Sequence, residues 1–342
     1  MYYFSEVNLR GNHAGTKARN DVEAILKKAG GKAINSKTLV LKSSKNEEII
    51  FSNIQNRFGF IRFFLEASML KGKKILIQYP MLSFDKDYDY LKKLAKRNEL
   101  FFLVHDIHSM RRGDIDALKK EVEILNLAKG VILHNRFMEM KLLEYGLNVK
   151  EVYKLNIFDY LCENKPVDNK RNEKNCIVFA GNLSKSKFIF KLIQENGEVN
   201  INLYGNEIDV TQWPNTTYYG SFKPDALPEK LVGNYGLVWD GEEISSCCGF
   251  IGEYTKYNNP HKFSLYIAAG LPVIVWSKAA IAEVVRKNNI GIVVDNLYKL
   301  SDVLKKISDE EYLMMCKNVK KIREKVIAGE NLLNILELIE RN

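Results

Sequence analysis

Short apolar runs alternate along this chain with amphipathic stretches rich in Lys and Glu, and that alternation restricts the fold more than any other feature. The runs fall at residues 75–77, 100–104, 131–133, 177–179, 201–203, 236–238, 272–275 and 292–294. They are β-branched and aromatic, and most are bounded by Gly or polar residues. Strands buried on both faces read this way, so the pattern predicts parallel sheets in an α/β protein. The stretches between them predict helices. Residues 85–96 place Tyr88, Leu91, Leu94 and Ala95 on one face, and residues 116–128 do the same with Leu118, Val122, Leu125 and Ala128. A further helix is predicted over 309–325, capped near Ser308.

With 342 residues the chain is long enough for two domains. The stretch from Glu163 to Asn175, ENKPVDNKRNEKN, is polar and nearly free of apolar residues, and it is the expected boundary. Each half then holds several strand–helix units, which predicts two doubly wound domains facing across a cleft. A net charge of +9 fits an anionic partner. The basic residues are scattered as pairs such as Lys27-Lys28 and Lys305-Lys306, as on solvated helix faces, and no nucleic-acid-binding motif accompanies them. Five Cys without a C-x-x-C pair predict reduced thiols and no zinc site. Residues 1–7 are too short and polar for a signal peptide, and no apolar run is long enough to span a bilayer. A cytoplasmic protein is expected, with any membrane contact peripheral and at the inner face.

Ligands of open parallel sheets bind beyond the carboxyl ends of the strands. There the first half offers Gln78-Tyr79-Pro80, His105-Asp106 and His134-Asn135. The second offers Gly181-Asn182, Tyr204-Gly205, Trp239-Asp240 and Trp276-Ser277. Asp106 follows the strong strand FFLVH, where a carboxylate either accepts a proton from a sugar hydroxyl or caps the next helix. His105 is the alternative base; His108 and His134 are expected to be structural. In the segment 10–17, RGNHAGTK, small residues precede a predicted helix, so Gly15 and Lys17 mark either an anion site or an ordinary loop. Gly181, Asn182 and Lys185 follow a strand and could wrap a phosphate or nucleoside. The segment NNPHKFSLYIAAG is more informative. Asn259, His261, Lys262 and Ser264 sit where an apolar helix opens, and a helix N-terminus with a fixed cation suits a diphosphate.

With these residues in place, the pattern HKFSLYIAAGLPVIVW resembles the donor-binding helix and following strand of GT-B glycosyltransferases. More narrowly, the chain resembles the bacterial β-1,6-galactofuranosyltransferases of O-antigen and capsule clusters. The similarity runs in order through MYYFSEVNLRGNHAGTKARND, LVHDIHSMRRG, IFDYL, VFAGNLSKSKF, LYGNE, YYGSF, GLVWDGEEISSCCGFIGEYTKYNNPHKFSLY and GLPVIVWSKAAIAEVV. The glucosyltransferases that extend glycans on streptococcal serine-rich adhesins are similar at greater distance.

The resemblance implies a GT-B fold of two Rossmann-like domains. An acceptor domain is expected over 1–160, joined by the terminal helix 331–341, and a nucleotide-sugar domain over 161–330. It implies UDP-galactofuranose as donor, a glycan or lipid-linked oligosaccharide as acceptor, and inversion at the anomeric carbon. Neither a metal nor another cofactor is expected. Asp106, or else His105, would be the base, and Lys262 and Lys185 would neutralise the diphosphate. Asn182, Tyr204, Gly205, Ser221 and Phe222 would hold the nucleoside, and Asp240 and Asn259 the donor sugar. Gly15 and Lys17 would approach the diphosphate on domain closure. Two alternatives stay open: a UDP-glucose-dependent glucosyltransferase, and a non-catalytic glycosyltransferase-like subunit of a partner enzyme. Homo-oligomerisation is also left open.

Overall fold

The computed structural model describes residues 1–5, 14–35, 65–81, 88–163, 175–195, 199–206, 213 and 215–342. The chain divides into two compact units. One comprises Met1–Met110, Asp114–Leu155 and Asn331–Asn342; the other comprises Arg111–Gly113 and Asn156–Glu330. Residues 164–174 of the expected boundary lie outside the described residues, and the units divide after Leu155.

The first unit contains β1 (Tyr2–Ser5), α1 (Ala14–Lys28), β2 (Lys32–Asn35), β3 (Lys74–Tyr79), α2 (Tyr88–Ala95), β4 (Glu99–Val104), α3 (His108–Arg112), α4 (Ile115–Leu125), β5 (Gly130–Leu133), α5 (Arg136–Glu144) and β6 (Glu151–Lys154). Its six strands are parallel, in the order β2-β1-β3-β4-β5-β6. Residues 100–104 of β4 are wholly buried, as a strand between two other strands and two covered faces requires. Asp114 caps α4 by accepting from the Ala117 amide, and Leu118, Val122 and Leu125 turn into the core; Ala128 is buried beyond the helix end. In α2, Leu91 and Leu94 are buried but Tyr88 is exposed, contrary to the expected face. At the first position of the helix its ring instead lies under Lys92 Nζ, 5.8 Å from the centroid.

The second unit contains β7 (Cys176–Gly181), α6 (Phe188–Glu195), β8 (Asn200–Gly205), β9 (Thr216–Tyr218), α7 (Leu227–Lys230), β10 (Tyr235–Val238), α8 (Gly249–Tyr254), α9 (His261–Ala268), β11 (Val273–Trp276), α10 (Ile281–Asn288), β12 (Gly291–Val294), α11 (Leu300–Lys305) and α12 (Asp309–Ala328). Its sheet is also parallel, in the order β12-β11-β10-β7-β8-β9. Ser308 and Glu311 close a reciprocal capping box at the start of α12, and Gly329 ends the helix in the left-handed region. The last helix, α13 (Glu330–Arg341), presents its C-terminal carbonyls to cations of the first unit. Lys74 Nζ donates to Ile339 O at 2.8 Å, and the Met1 amino group pairs with Glu340 at 2.8 Å.

Each sheet reverses its winding direction once, between β1 and β3 in the first unit and between β7 and β10 in the second. Adjacent strands part at such a reversal, and ligands of open α/β sheets lie there.

Candidate active site

In the second unit the reversal point is occupied from α9. Lys262, in the first turn, places Nζ 2.9 Å from Asp240 Oδ1 and 3.3 Å from the Trp239 carbonyl, both just beyond β10. The same ammonium lies 4.9 Å from the centroid of Phe179 on β7. One cation therefore spans the two strands that part, and its side chain remains 19% exposed. Pro260 stands at the N-cap and makes no side-chain cap, so the positive end of the helix dipole faces the same edge. At the end of β7, Asn182 caps the short 3-10 turn Leu183–Lys185 through the Lys185 amide, and Lys185 itself is exposed. Gly205, paired with Gly181, has φ +152°, and a Cβ there would stand 2.0 Å from Gly181 O. Only glycine allows this approach of the two strand ends.

Several residues expected at the nucleotide do structural work instead. Tyr204 is 1% exposed; its hydroxyl donates to Lys230 O and accepts from the Val232 amide, each at 3.0 Å. Burial pushes its phenol pKa up. Asn259 is buried and donates to Asn156 O at 2.6 Å, bracing the turn before α9. Ser264 is 1% exposed, since its place in α9 faces the core. The His261 ring packs against Tyr160 and Phe158, with centroids 5.1 and 6.0 Å apart. Ser221 is exposed, and Phe222 packs towards the core with its ring 6.2 Å from Tyr204. Asp240 is the ion-pair partner of Lys262, a role the sequence did not signal.

In the first unit the carboxyl ends of β3, β4 and β5 bring together Gln78, His105, Asp106 and His134. His105 Nε2 lies 2.7 Å from Gln78 Oε1, and the buried Gln78 in turn donates to Arg19 O. Asp106 Oδ2 lies 3.7 Å from His108 Nε2, with the Asp106 side chain partly exposed. His134 donates from Nε2 to Val104 O at 3.0 Å. Desolvation lowers its pKa to about 4, against the opposing pull of the Asp106 charge, so it is neutral at pH 7. Lys17 is paired with Asp21 one turn along α1, as Lys262 is with Asp240, but it is more deeply buried, at 5% exposed. Gly15 is exposed in the first turn of that helix, and residues 6–13 of the expected loop lie outside the described residues.

Among the described residues no three His, Cys, Asp or Glu side chains gather as a metal site, the five Cys are free thiols, and no helix is long and apolar enough to cross a membrane.

Two doubly wound parallel units, with polar strand ends and a lysine at a helix N-terminus, define the GT-B architecture of glycosyltransferases. The chain belongs to the glucosyltransferase 3-like family, whose N-terminal domain model matches residues 1–157 and whose C-terminal domain model matches residues 177–338. It is 30% identical to the β-1,6-galactofuranosyltransferase WbbI of Escherichia coli K12, over 98% of this chain and 97% of that one. It is 26% identical to glucosyltransferase 3 of Streptococcus gordonii, over 92% and 90% of the two chains. Among solved structures, Anabaena HepE in complex with UDP and glucose superposes with a TM-score of 0.58 over 100% of this chain and 99% of that one; at 14% identity the likeness is one of fold. The chain is a glycosyltransferase.

Proposed function

We propose that the chain transfers galactofuranose from UDP-galactofuranose, with inversion, to an acceptor sugar of a bacterial surface polysaccharide. The observation that carries the donor half is Lys262, which joins β7 to β10 at the reversal of the second sheet while the uncapped start of α9 adds its dipole. That arrangement suits the charge that builds on a departing diphosphate. HepE carries UDP on the same fold, which supports a uridine nucleotide. The WbbI relative supports the furanose. The family's glucosyltransferase members support a second reading, in which UDP-glucose is the donor.

In the reaction, Asp106 accepts the proton of the acceptor hydroxyl. The oxygen attacks the anomeric carbon from the face opposite the leaving group, the anomeric C–O bond to phosphate breaks, and UDP departs with its charge met by Lys262 and the α9 amides. With an α-linked donor this gives a β product. Lys262 takes the part a divalent cation plays in other nucleotide-sugar enzymes, so turnover is expected to need no metal. The acceptor would be a glycan or lipid-linked oligosaccharide, met in the cytoplasm or at the inner face of the membrane.

The test is UDP release from UDP-galactofuranose and UDP-glucose, each with and without EDTA, followed by NMR of the anomeric proton of the product. Faster release from the furanose donor, indifference to EDTA and a β linkage are expected. Preference for UDP-glucose selects the second reading, loss of turnover in EDTA removes the metal-free role of Lys262, and absence of UDP binding points to a non-catalytic subunit.

A further inference from the structure

The second unit has a cavity of about 450 Å³ that neither Lys262 nor Asp240 lines. It begins at the amino ends of β7 and β8, beside Cys176 and Asn200, and runs along one face of β8 and β9 to Tyr219. Its origin is topological. The connection from β7 to β8 carries α6, and Trp213, in the connection from β8 to β9, packs edge-on against Phe190 of α6 with centroids 4.9 Å apart. Crossovers that progress in one direction share a face of the sheet, and Trp213 and α6 accordingly lie together. The opposite side falls to the returning connection from β9 to β10, whose helix α7 has only four residues. Where a longer helix would lie on β8 and β9, a cavity remains.

The sequence of β8 is matched to that opening. It reads NINLYG, with Ile201 and Leu203 buried on one face and Asn200, Asn202 and Tyr204 on the other. A strand with both faces covered would be apolar throughout; this one is half polar. Asn202 stands opposite Thr217 of β9, donates its NH2 group to Val232 O at 2.6 Å and lines the cavity. Beyond them the Tyr219 ring lies flat on Tyr204, centroids 4.9 Å apart and planes 7° from parallel. The Tyr204 hydroxyl is fixed to the backbone at both of its bonds, so Tyr219 is held as a rigid platform that remains 39% exposed.

From this juxtaposition we propose that the β8–β9 face binds a neutral oligosaccharide, with the apolar C–H face of one hexose on the Tyr219 ring and its hydroxyls on Asn202 and Thr217. Neutral amide and hydroxyl groups beside an aromatic plane recognise sugars, whereas an anionic ligand would need a cation, and none of the described residues lining the cavity is cationic. The proposal rests on the glycosyltransferase reading only for the source of the sugar: a growing glycan would be held here at a distance from the reacting end.

The test uses the full chain with lactose and maltose as probes. Saturation-transfer NMR is expected to show saturable binding with a dissociation constant of about 1–10 mM. Tyr219→Ala and Thr217→Val should each weaken it about fivefold or more, with calorimetric UDP affinity unchanged. Circular dichroism checks that both variants fold, and Thr217→Val keeps the test alive should Tyr219→Ala not. Two results would overturn the proposal: no saturation transfer from either sugar at about 50 mM, or equal transfer in wild type and both variants. A Tyr219→Ala protein that loses an oligomer seen by light scattering would also overturn it, since the face would then be a protein interface. Because UDP binding is read separately, failure here leaves the donor site untouched, and failure of UDP binding leaves the sugar result standing.

Discussion

The carboxyl ends of the two sheets occupy equivalent places in their units and are built from opposite materials. In the first unit the strand ends carry Gln78, His105 and a buried neutral His134 around Asp106. In the second the place is held by the fixed charge of Lys262, a helix N-terminus and the face of Phe179. The first set can accept and orient a proton and carries little net charge to attract an anion. The second offers a cation and helix amides that can hold an anion. On the proposed reaction the same topology would serve acid–base work in one copy and charge stabilisation in the other, the difference lying in two or three side chains at each sheet edge rather than in the fold.

The sharpest way to break this contrast is at Asp106. If it is the base, Asp106→Asn should lower kcat roughly two to four orders of magnitude, because the acceptor proton no longer has a partner in the transition state. UDP affinity measured by calorimetry should stay within about threefold, since the base acts on the acceptor. His105→Ala, which breaks the link to Gln78, should do less to kcat and more to acceptor KM. A normal Asp106→Asn enzyme beside a dead His105→Ala enzyme would reverse the two roles, and two active variants would remove the first-unit strand ends from the chemistry.

Next in size is the pH response of His134. Its folded pKa of about 4 lies below the ordinary 6.5, so between those values the unfolded chain binds the extra proton. Stability is therefore complete above about pH 6.5 and falls as the pH drops towards 4. The shift amounts to about 3 kcal/mol by the usual conversion of a pKa difference. Urea unfolding of wild type and His134→Gln across that range should show the variant with the flatter profile. Parallel profiles would mean that His134 is not the buried neutral group of the first unit.

Lys262→Ala tests the other side. It removes a charge-assisted contact and should weaken UDP binding by about 1.5–3 kcal/mol, with the pH response of His134 untouched. An unchanged dissociation constant would take Lys262 out of the donor site.

How much of this contrast could be read beforehand depended on whether an interaction was local. The strands β3, β4, β5, β7, β10 and β11 announce themselves as apolar runs because both faces are covered, and β8 and β12 do so through the apolar side chains they bury. The edge strands β6 and β9 do not, since Glu151–Lys154 and Thr216–Tyr218 carry too few buried side chains to leave a pattern, whereas the edge strand β12 reads as apolar because Ile292 and Val294 are buried. Lys262 was legible from its helix start, which is a local signal. Its pairing with Asp240 was not, because 22 residues separate the two and only the reversal of the sheet brings them together. The contacts of Tyr204 were hidden for the same reason: it follows an apolar run, and the returning chain at Lys230–Val232 captures its hydroxyl.

The smallest expected effect belongs to Tyr266, which fixes α9 on the parted strands. β10 pairs with β7 at Ile177 and Val178, and by Ala180 the strands have separated. The Tyr266 hydroxyl, one turn beyond Lys262, reaches into that gap and accepts the Ala180 amide at 2.9 Å. The ring passes directly over Gly236 of β10, where a Cβ would stand 2.1 Å from it. The hydroxyl is buried and its pKa is raised by that burial, so it stays protonated while it accepts. Tyr266→Phe keeps the ring over Gly236 and deletes only the acceptor, leaving the Ala180 amide buried without its partner. The expected loss is about 1–2 kcal/mol of unfolding free energy, with UDP affinity reduced no more than about threefold, because Lys262 keeps its bonds to Trp239 and Asp240. Urea unfolding and calorimetry on the same preparation separate the two effects. A variant of normal stability that binds UDP ten times more weakly would place the hydroxyl on the ligand instead, and the charged end of the second sheet would then include a neutral group of the kind found in the first.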